Sequence, residues 1–403
     1  MDVMYDVDAI RSHFPAVAAG TAHFDGPGGS QTPDVVAEAV AQTLTSSISN
    51  RGRVTESERR ADAVVLGARE AMADLLNAPA RGIVFGRSMT QLTYDFSRTL
   101  AKGWGPGDEV VVTRLDHDAN IRPWVQAAER VGATVRWAEF DAATGELSAD
   151  AVAGVLSERT KLVAVTAASN LIGTRPNLAA IGRLVHDAGA LLYVDGVHYT
   201  AHARVDVATI GADFFACSPY KFLGPHCGVV AARPDLLEQL SPDKLLPSSD
   251  DVPERFELGT LPYELMAGTT AAVDFLAGLG TDHATSRRDA LVGAFGALEA
   301  HEDRLRERLE SELNGIAGVV NYSRAALRTP TVLFAIEGRS SADIHRFLAG
   351  RGVNAPASSF YAIEASRALG LGDDGAVRVG LAPYTNESDV DRLVAGLHAF
   401  VEQ

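Results

Sequence analysis

The chain has 403 residues, of which 46% are hydrophobic and 22% charged, a composition typical of a soluble globular protein. Its 52 acidic and 36 basic residues give a net charge of −16, which argues against nucleic acid or an anionic membrane as the main partner. Two cysteines fit neither a disulfide framework nor a zinc site, the N-terminus lacks a signal-peptide pattern, and no apolar run reaches the ~18 residues of a membrane span. We therefore expect a cytoplasmic protein of two domains, or three.

Short runs of β-branched residues alternate with helical patterns through the middle of the chain. The predicted strands are 83–85, 109–114, 134–139, 162–166, 191–194, 213–217 and 228–232, and 177–188 is one of the helices between them. This alternation predicts an α/β fold with a mostly parallel sheet covered by helices. The charged, proline-containing segment 241–257 is predicted to form a surface excursion.

The pattern changes near residue 281. A long charged helix is predicted over 287–313, followed by strands at 331–336 and 376–380 and helices at 341–351 and 387–401. This order predicts a smaller α+β domain at the C-terminal end.

Polar or ionisable residues follow four of the predicted strands, at 116–120, 169–170, 195–198 and 218–221. Ligands bind outside the carboxyl ends of strands in open parallel sheets. Ordinary polar loops explain any one of these strand ends about equally well, but four in succession favour a functional site.

Asp195 and Lys221 are the most informative pair, since the sequence contains only four lysines. An amine can form a Schiff base with an aldehyde, and a nearby carboxylate can pair with a protonated pyridine nitrogen. These are the two groups that pyridoxal phosphate requires, whereas the alternative for Lys221 is a surface lysine. Ser88 and Thr90 open a predicted helix, where they either bind a phosphate or serve only as helix caps.

Eight segments together resemble class V aminotransferases, and most closely the cysteine-desulfurase-like proteins. They are 24–33, 116–124, 169–174, 193–199, 206–213, 218–225, 255–260 and 377–384. The resemblance spans nearly the whole chain. It implies a fold type I pyridoxal-phosphate enzyme that forms a homodimer with active sites at the subunit interface. It also implies an N-terminal segment over 1–22 on the small domain, a large domain over 23–280 and a small domain over 281–403.

The resemblance implies a role for individual residues. Lys221 would bind the cofactor aldehyde, Asp195 the pyridine nitrogen and His117 the ring face, while Asn170 and His198 would reach the phenolic oxygen. The remaining cofactor contacts implied are Ser88, Met89, Thr90, Ser218 and Tyr220, with Thr260 reaching the phosphate of the partner subunit. Arg378 would bind the substrate carboxylate, which suits a planar bidentate donor. Apart from the resemblance, the loop 354–359 contains a proline and small residues that leave room for a bulky substrate, so Asn354 and Ser359 are expected to line the substrate site. For Tyr220, Tyr361 and Tyr384, a packing role is the simpler expectation.

The chain departs from cysteine desulfurases at the loop that carries their nucleophilic cysteine. The corresponding segment, 353–361, contains no cysteine, and neither Cys217 nor Cys227 matches the position. A serine hydroxyl cannot replace a thiolate near neutral pH. The residues therefore favour a C–S lyase that acts on cysteine or an S-substituted cysteine by β-elimination, in secondary metabolism such as antibiotic biosynthesis.

Several alternatives remain open on the sequence. The same cofactor would serve a decarboxylating deaminase of an S-cysteinyl conjugate, an aminotransferase or an epimerase. A non-catalytic relative would be expected to have lost at least one of the site residues. A metal enzyme is the other alternative, suggested by Asp116, His117, Asp118, His198 and His202, although stacking and polar-loop roles explain these residues better.

Overall fold

The computed structural model describes residues 5–280 and 284–403. The helices are α1 (Val7–Arg11), α2 (Pro15–Ala18), α3 (Asp34–Thr45), α4 (Glu56–Leu76), α5 (Met89–Ala101), α6 (Arg122–Val131), α7 (Ala149–Ala153), α8 (Leu178–Asp187), α9 (Val207–Ile210), α10 (Pro234–Gln239), α11 (Tyr263–Ala277), α12 (Arg287–Asn314), α13 (Ser341–Ala349), α14 (Ile363–Ala368) and α15 (Glu387–Val401). The strands are β1 (Ala22–His23), β2 (Ile83–Gly86), β3 (Glu109–Thr113), β4 (Thr134–Ala138), β5 (Thr160–Thr166), β6 (Leu191–Asp195), β7 (Phe214–Cys217), β8 (Gly228–Ala232), β9 (Val319–Asn321), β10 (Thr331–Ile336), β11 (Val353–Asn354), β12 (Ala357–Ser358) and β13 (Ala376–Gly380). No helix in these two ranges is long and apolar enough to cross a membrane.

A seven-stranded sheet forms the centre of the fold, in the order β2-β8-β7-β6-β5-β3-β4. All neighbouring strands are parallel except that β8 runs antiparallel to both β2 and β7. The strands read as near-continuous apolar runs because helices cover both faces of the sheet. The predicted α/β fold with a mostly parallel central sheet is confirmed.

A smaller antiparallel sheet, β12-β13-β10-β9, carries the C-terminal part of the chain. Ala22 and Phe24 are buried in the apolar cluster beneath this sheet, since β1 pairs with β11. The N-terminal residues pack nearby: the Tyr5 hydroxyl donates to the Pro383 carbonyl at 2.8 Å, and Arg11 lies 2.6 Å from Asp389. The expected boundary at 280/281 adjoins residues 281–283, which lie outside the described residues.

The predicted surface excursion over 241–257 is wrong at its C-terminal end. Phe256 is buried and stacks on Phe96 with ring centroids 5.2 Å apart. Glu257 is also buried, since its two carboxylate oxygens accept hydrogen bonds from Arg69, each at 2.8 Å. The C-terminal end of this segment is buried because the Phe256 ring packs in the core and the Glu257 charge is paired with Arg69.

Candidate active site

Four strand ends of the large sheet, those of β3, β5, β6 and β7, meet at one cavity of about 600 Å³. Residues from the first turn of α5 and from the smaller sheet complete its wall. The lining residues are Pro27, Gly28, Met89, Thr90, Tyr94, His117, Asp118, Ala119, Arg122, Pro123, Thr166, Ala168, Asn170, Asp195, Val197, His198, Ser218, Tyr220, Lys221, Ser358, Phe360, Tyr361 and Arg378. The structure thus brings together most of the residues that the sequence singles out.

Asp195 is the last residue of β6 and is buried at the floor of the cavity. Its Oδ1 accepts a hydrogen bond from the backbone N–H of Val197 at 2.9 Å. Gly196 makes this turn possible, because a Cβ there would lie 2.1 Å from the Phe215 ring. Burial raises the pKa of Asp195 to about 6, although the Val197 hydrogen bond and the charge of Lys221 oppose the shift.

Lys221 lies in the short helical turn that follows β7. Its Nζ donates a hydrogen bond to the backbone carbonyl of Pro27 and lies 4.9 Å from the centroid of the Tyr220 ring. Burial and the positive charge of Arg378 lower the pKa of Lys221 to about 7, and the charge of Asp195 opposes them. A substantial fraction of this amine is therefore neutral, and nucleophilic, near pH 7.

His117 follows β3, and its ring forms part of the cavity wall. Its Nδ1 accepts a hydrogen bond from the backbone N–H of Ala119 at 3.0 Å. Burial and the charges of Lys221 and Arg378 lower the pKa of His117 to about 4. The imidazole is therefore neutral at pH 7 and presents an uncharged flat face.

Asp116 lies behind His117 and is completely buried. Its carboxyl group accepts a hydrogen bond from Asn120 Nδ2 at 2.7 Å, and Asn120 Oδ1 in turn accepts one from Trp124 Nε1 at 3.2 Å. Burial raises the pKa of Asp116 to about 8. These contacts hold the turn that carries His117, so Asp116 supports that turn.

Arg378 reaches the cavity from β13 of the smaller sheet and is buried. Its Nη1 donates to the backbone carbonyl of Asn170 at 2.9 Å, and Asn170 Nδ2 donates to the carbonyl of Phe360 at 3.0 Å. Burial lowers the pKa of Arg378 to about 9, with Asp25 opposing the shift, so the guanidinium keeps its charge at pH 7. Asn170 Oδ1 and Arg378 Nε are buried without a hydrogen-bond partner in the described chain. Such atoms are available to a polar ligand.

His198 is buried in the same wall, with its Nε2 at 2.9 Å from the hydroxyls of both Thr329 and Thr331. Its ring packs edge-on against His202, whose Nδ1 lies 3.0 Å from Glu302. Burial and the nearby cations lower the pKa of His198 well below its ordinary value. The residue therefore offers a neutral ring to the cavity.

Thr90, Met89 and Ser218 line the cavity at the start of α5 and the end of β7. Ser88 instead caps α5, where its Oγ accepts the backbone N–H of Gln91 at 3.1 Å. Ser88 therefore serves as a helix cap, whereas a phosphate contact from Thr90 stays a prediction. Thr260 lies elsewhere, in a second cavity of about 600 Å³ that Arg87, Gln91 and His226 also line.

Two residues expected to line the substrate site do not do so. Asn354 belongs to β11, and its Nδ2 lies 3.3 Å from His23 Nδ1. Ser359 is buried between two residues that line the cavity, Ser358 and Phe360. Tyr384 also lies outside the cavity: its hydroxyl accepts the backbone N–H of Gln31 at 3.0 Å and its ring packs on Phe14, in accord with a packing role.

Sequence reasoning missed Tyr94 and Arg122, which both line the cavity. Tyr94 lies four residues beyond Thr90 in α5, at the spacing that places side chains on one helix face, and Arg122 lies four residues beyond Asp118. Arg122 also forms an ion pair with Asp118 at 2.9 Å. No group of three His, Cys, Asp or Glu side chains could hold a metal ion within 5–280 and 284–403.

These residues fit pyridoxal phosphate. The cavity offers a partly buried amine for its aldehyde, a buried carboxylate for its ring nitrogen, a neutral imidazole for its ring face and hydroxyls at a helix N-terminus for its phosphate. The unpartnered oxygen of Asn170 adds an acceptor for a polar substituent of the ring. The fold and the cavity thus define a pyridoxal-phosphate enzyme.

Comparisons with known proteins agree with this class. The model of the class-V aminotransferase family matches residues 22–393, so the chain belongs to the class-V aminotransferases, and pyridoxal 5′-phosphate is the cofactor. An uncharacterized protein of Mycobacterium tuberculosis is 35% identical over 98% of each chain, and an aminotransferase-like protein of Gibberella zeae is 32% identical over 98% of each chain. A crystal structure of a cysteine desulfurase from Escherichia coli is 27% identical, with a TM-score of 0.87 over 99% of each chain.

Proposed function

We propose that this protein is a C–S lyase that removes a thiol from an S-substituted cysteine by β-elimination. One substrate and one water give one thiol, one pyruvate and one ammonium ion. The Cα–H and Cβ–S bonds break, the sulfur leaves with the electron pair of the Cβ–S bond and takes up a proton, and water hydrolyses the released enamine. No external oxidant or reductant takes part.

The observation that carries the proposal is the position of the two cysteines. Cys217 and Cys227 are both buried in the core, and neither is among the residues that line the cavity. Burial raises the pKa of both thiols, that of Cys227 to about 11. A thiolate that attacks the substrate sulfur is therefore not available from either residue. Elimination needs no such nucleophile.

The other residues of the cavity have the properties that elimination requires. When bound, pyridoxal phosphate supplies an electron sink for the substrate Cα. Arg378 binds the substrate carboxylate, and Lys221 Nζ, with a pKa near neutral, takes the proton from Cα. Asp195 holds the ring nitrogen and His117 covers the ring face. The proposal includes a cytoplasmic homodimer in which Thr260 reaches the partner's cofactor phosphate.

The test is to incubate the holoenzyme with S-ethyl-L-cysteine labelled at the carboxyl carbon. Pyruvate that retains the label, with ethanethiol in equal amount, is the expected result. Label lost as carbon dioxide would identify a decarboxylating enzyme, and a keto acid that retains its sulfur would identify an aminotransferase; either result would overturn the proposal.

A matched pair of lysine variants shows whether the activity belongs to this cavity. Lys221→Ala is expected to lower kcat by roughly a hundredfold to ten-thousandfold, the usual contribution of a general base. Lys161→Ala is the control, because Lys161 is partly exposed on the sheet, 3.3 Å from Asp108 and outside the cavity. It is expected to retain full activity.

A further inference from the structure

Residues 358–361, here called the aromatic turn, begin at the last residue of β12 and lie against the cavity. Phe360 and Tyr361 have φ angles of 51° and 59°, in the left-handed region. Neither is a glycine, so each holds a strained backbone conformation. Strain at two successive residues persists only where surrounding contacts fix the chain, and it occurs most often at functional sites.

The contacts that fix the aromatic turn come from the active-site residues themselves. Asn170 Nδ2 donates to the Phe360 carbonyl at 3.0 Å, and the backbone N–H of Asp118 donates to the Tyr361 carbonyl at 2.7 Å. The Arg378 guanidinium lies over the Phe360 ring, 3.6 Å from its centroid. The guanidinium expected to bind the substrate carboxylate therefore has a fixed position relative to the turn.

Tyr361 is the outermost member of this arrangement. Its ring stacks on His117 with centroids 5.6 Å apart and planes inclined by 26°. It lines the cavity and yet is 76% exposed. No other tyrosine or phenylalanine among the described residues is classed as exposed. A rigid aromatic ring that is left open to solvent at a cavity wall is a surface on which a second ring can stack.

We propose that Tyr361 selects substrates whose sulfur carries an aromatic group. This inference rests on the proposed function: with the substrate carboxylate on Arg378, the S-substituent extends along the wall to which the aromatic turn belongs. The ring of the substituent stacks on Tyr361, and Tyr94 in the same cavity supplies a second aromatic side chain. The preferred substrates are then S-aryl or S-arylmethyl cysteines, with S-alkyl cysteines as weaker substrates.

The experiment compares S-benzyl-L-cysteine with S-methyl-L-cysteine on the holoenzyme. For each compound, titration of the cofactor absorbance gives Kd whether or not the compound is cleaved, and pyruvate release gives kcat and KM. Tyr361→Phe keeps the ring, and Tyr361→Leu removes it while imposing the same backbone strain. A partly exposed tyrosine outside the cavity, Tyr322, provides Tyr322→Leu as the control.

The measured quantity is the ratio of the two dissociation constants. Tyr361→Phe and Tyr322→Leu are expected to keep the wild-type preference for the benzyl compound, whereas Tyr361→Leu is expected to reduce it roughly three- to tenfold, the strength of one aromatic stack. An unchanged ratio in Tyr361→Leu would overturn the inference. If neither compound yields pyruvate but the ratio still depends on the ring, the proposed elimination fails and the role of Tyr361 stands.

Discussion

The lowered pKa of Lys221 gives the most direct test of the active site, because it can be measured without a substrate. Burial and Arg378 lower this pKa from 10.5 to about 7. At pH 7 about half of the amine is then neutral, against roughly 0.03% of an ordinary lysine. Lys221 is therefore expected to hold roughly a thousandfold more reactive amine at this pH than an exposed lysine.

The assay is carbamylation of the cofactor-free protein by cyanate, a reagent small enough to enter the cavity. Mass spectrometry of the peptides gives the rate at each lysine between about pH 5.5 and 11.5, a range that includes the usual lysine pKa of ~10.4. Lys102 and Lys161, which are partly exposed, serve as references in the same sample. Burial slows the reaction at Lys221 equally at every pH, so the midpoint of the profile, and not the rate, reports the pKa.

Two variants test the direction in which Asp195 and Arg378 shift the pKa of Lys221. The Asp195 carboxylate favours the charged amine, so Asp195→Asn is expected to move the Lys221 midpoint to lower pH. The Arg378 guanidinium disfavours it, so Arg378→Gln is expected to move the midpoint to higher pH. A wild-type midpoint near ~10.4, the usual pKa of a lysine side chain, or shifts of the same sign in both variants, would refute the reasoning.

Two matched pairs of variants give four further predictions for the free energy of unfolding, measured with urea. Gly196→Ala places a Cβ 2.1 Å from a buried ring and is expected to cost about 3 kcal/mol, whereas Gly293→Ala, on a helix with nothing within 4 Å, is expected to add about 0.5–1 kcal/mol. Arg69→Met leaves Glu257 buried without its cation and is expected to cost about 3–5 kcal/mol. Arg59→Met removes an exposed ion pair and is expected to change stability by less than about 1 kcal/mol. Equal costs for the two arginine variants would contradict the assignment of a buried pair.

Much of the fold could be predicted because its elements are strongly patterned. The bounds predicted for β10, β13 and α15 match the structure, and α15 also begins with a capping box between Asn386 and Asp389. The direction of β8 was not predicted, although the sequence contained a signal for it. The connection from β7 to β8, residues 218–227, is shorter than the dozen or more residues that a parallel crossover requires.

Some residues of the site could be predicted from local sequence patterns, whereas others reach it through long-range contacts that the sequence does not report. His117, Asp195 and Lys221 lie at or just beyond the carboxyl ends of strands of one mostly parallel sheet, so the strand-end rule finds them. Arg378 comes from a different sheet, and only the family resemblance pointed to it. The position of Tyr361 at the cavity depends on a hydrogen bond from the backbone N–H of Asp118, more than two hundred positions away, to the Tyr361 carbonyl, and no sequence pattern reports such a contact.

The backbone φ angles show where residues adopt conformations that are unfavourable for their type. Among the described residues, four that are not glycine have positive φ: Asn77, Leu223, Phe360 and Tyr361. Asn77 ends α4 in the left-handed conformation common at helix C-termini. Leu223 follows Lys221 by two residues, and its N–H donates to Ser30 Oγ at 2.9 Å. The three unusual residues thus belong to the turn that carries the amine and the turn that supports the guanidinium. Backbone strain at functional sites persists where it holds reactive groups in position. These two turns position an amine and a guanidinium that come from different sheets and must act on one substrate.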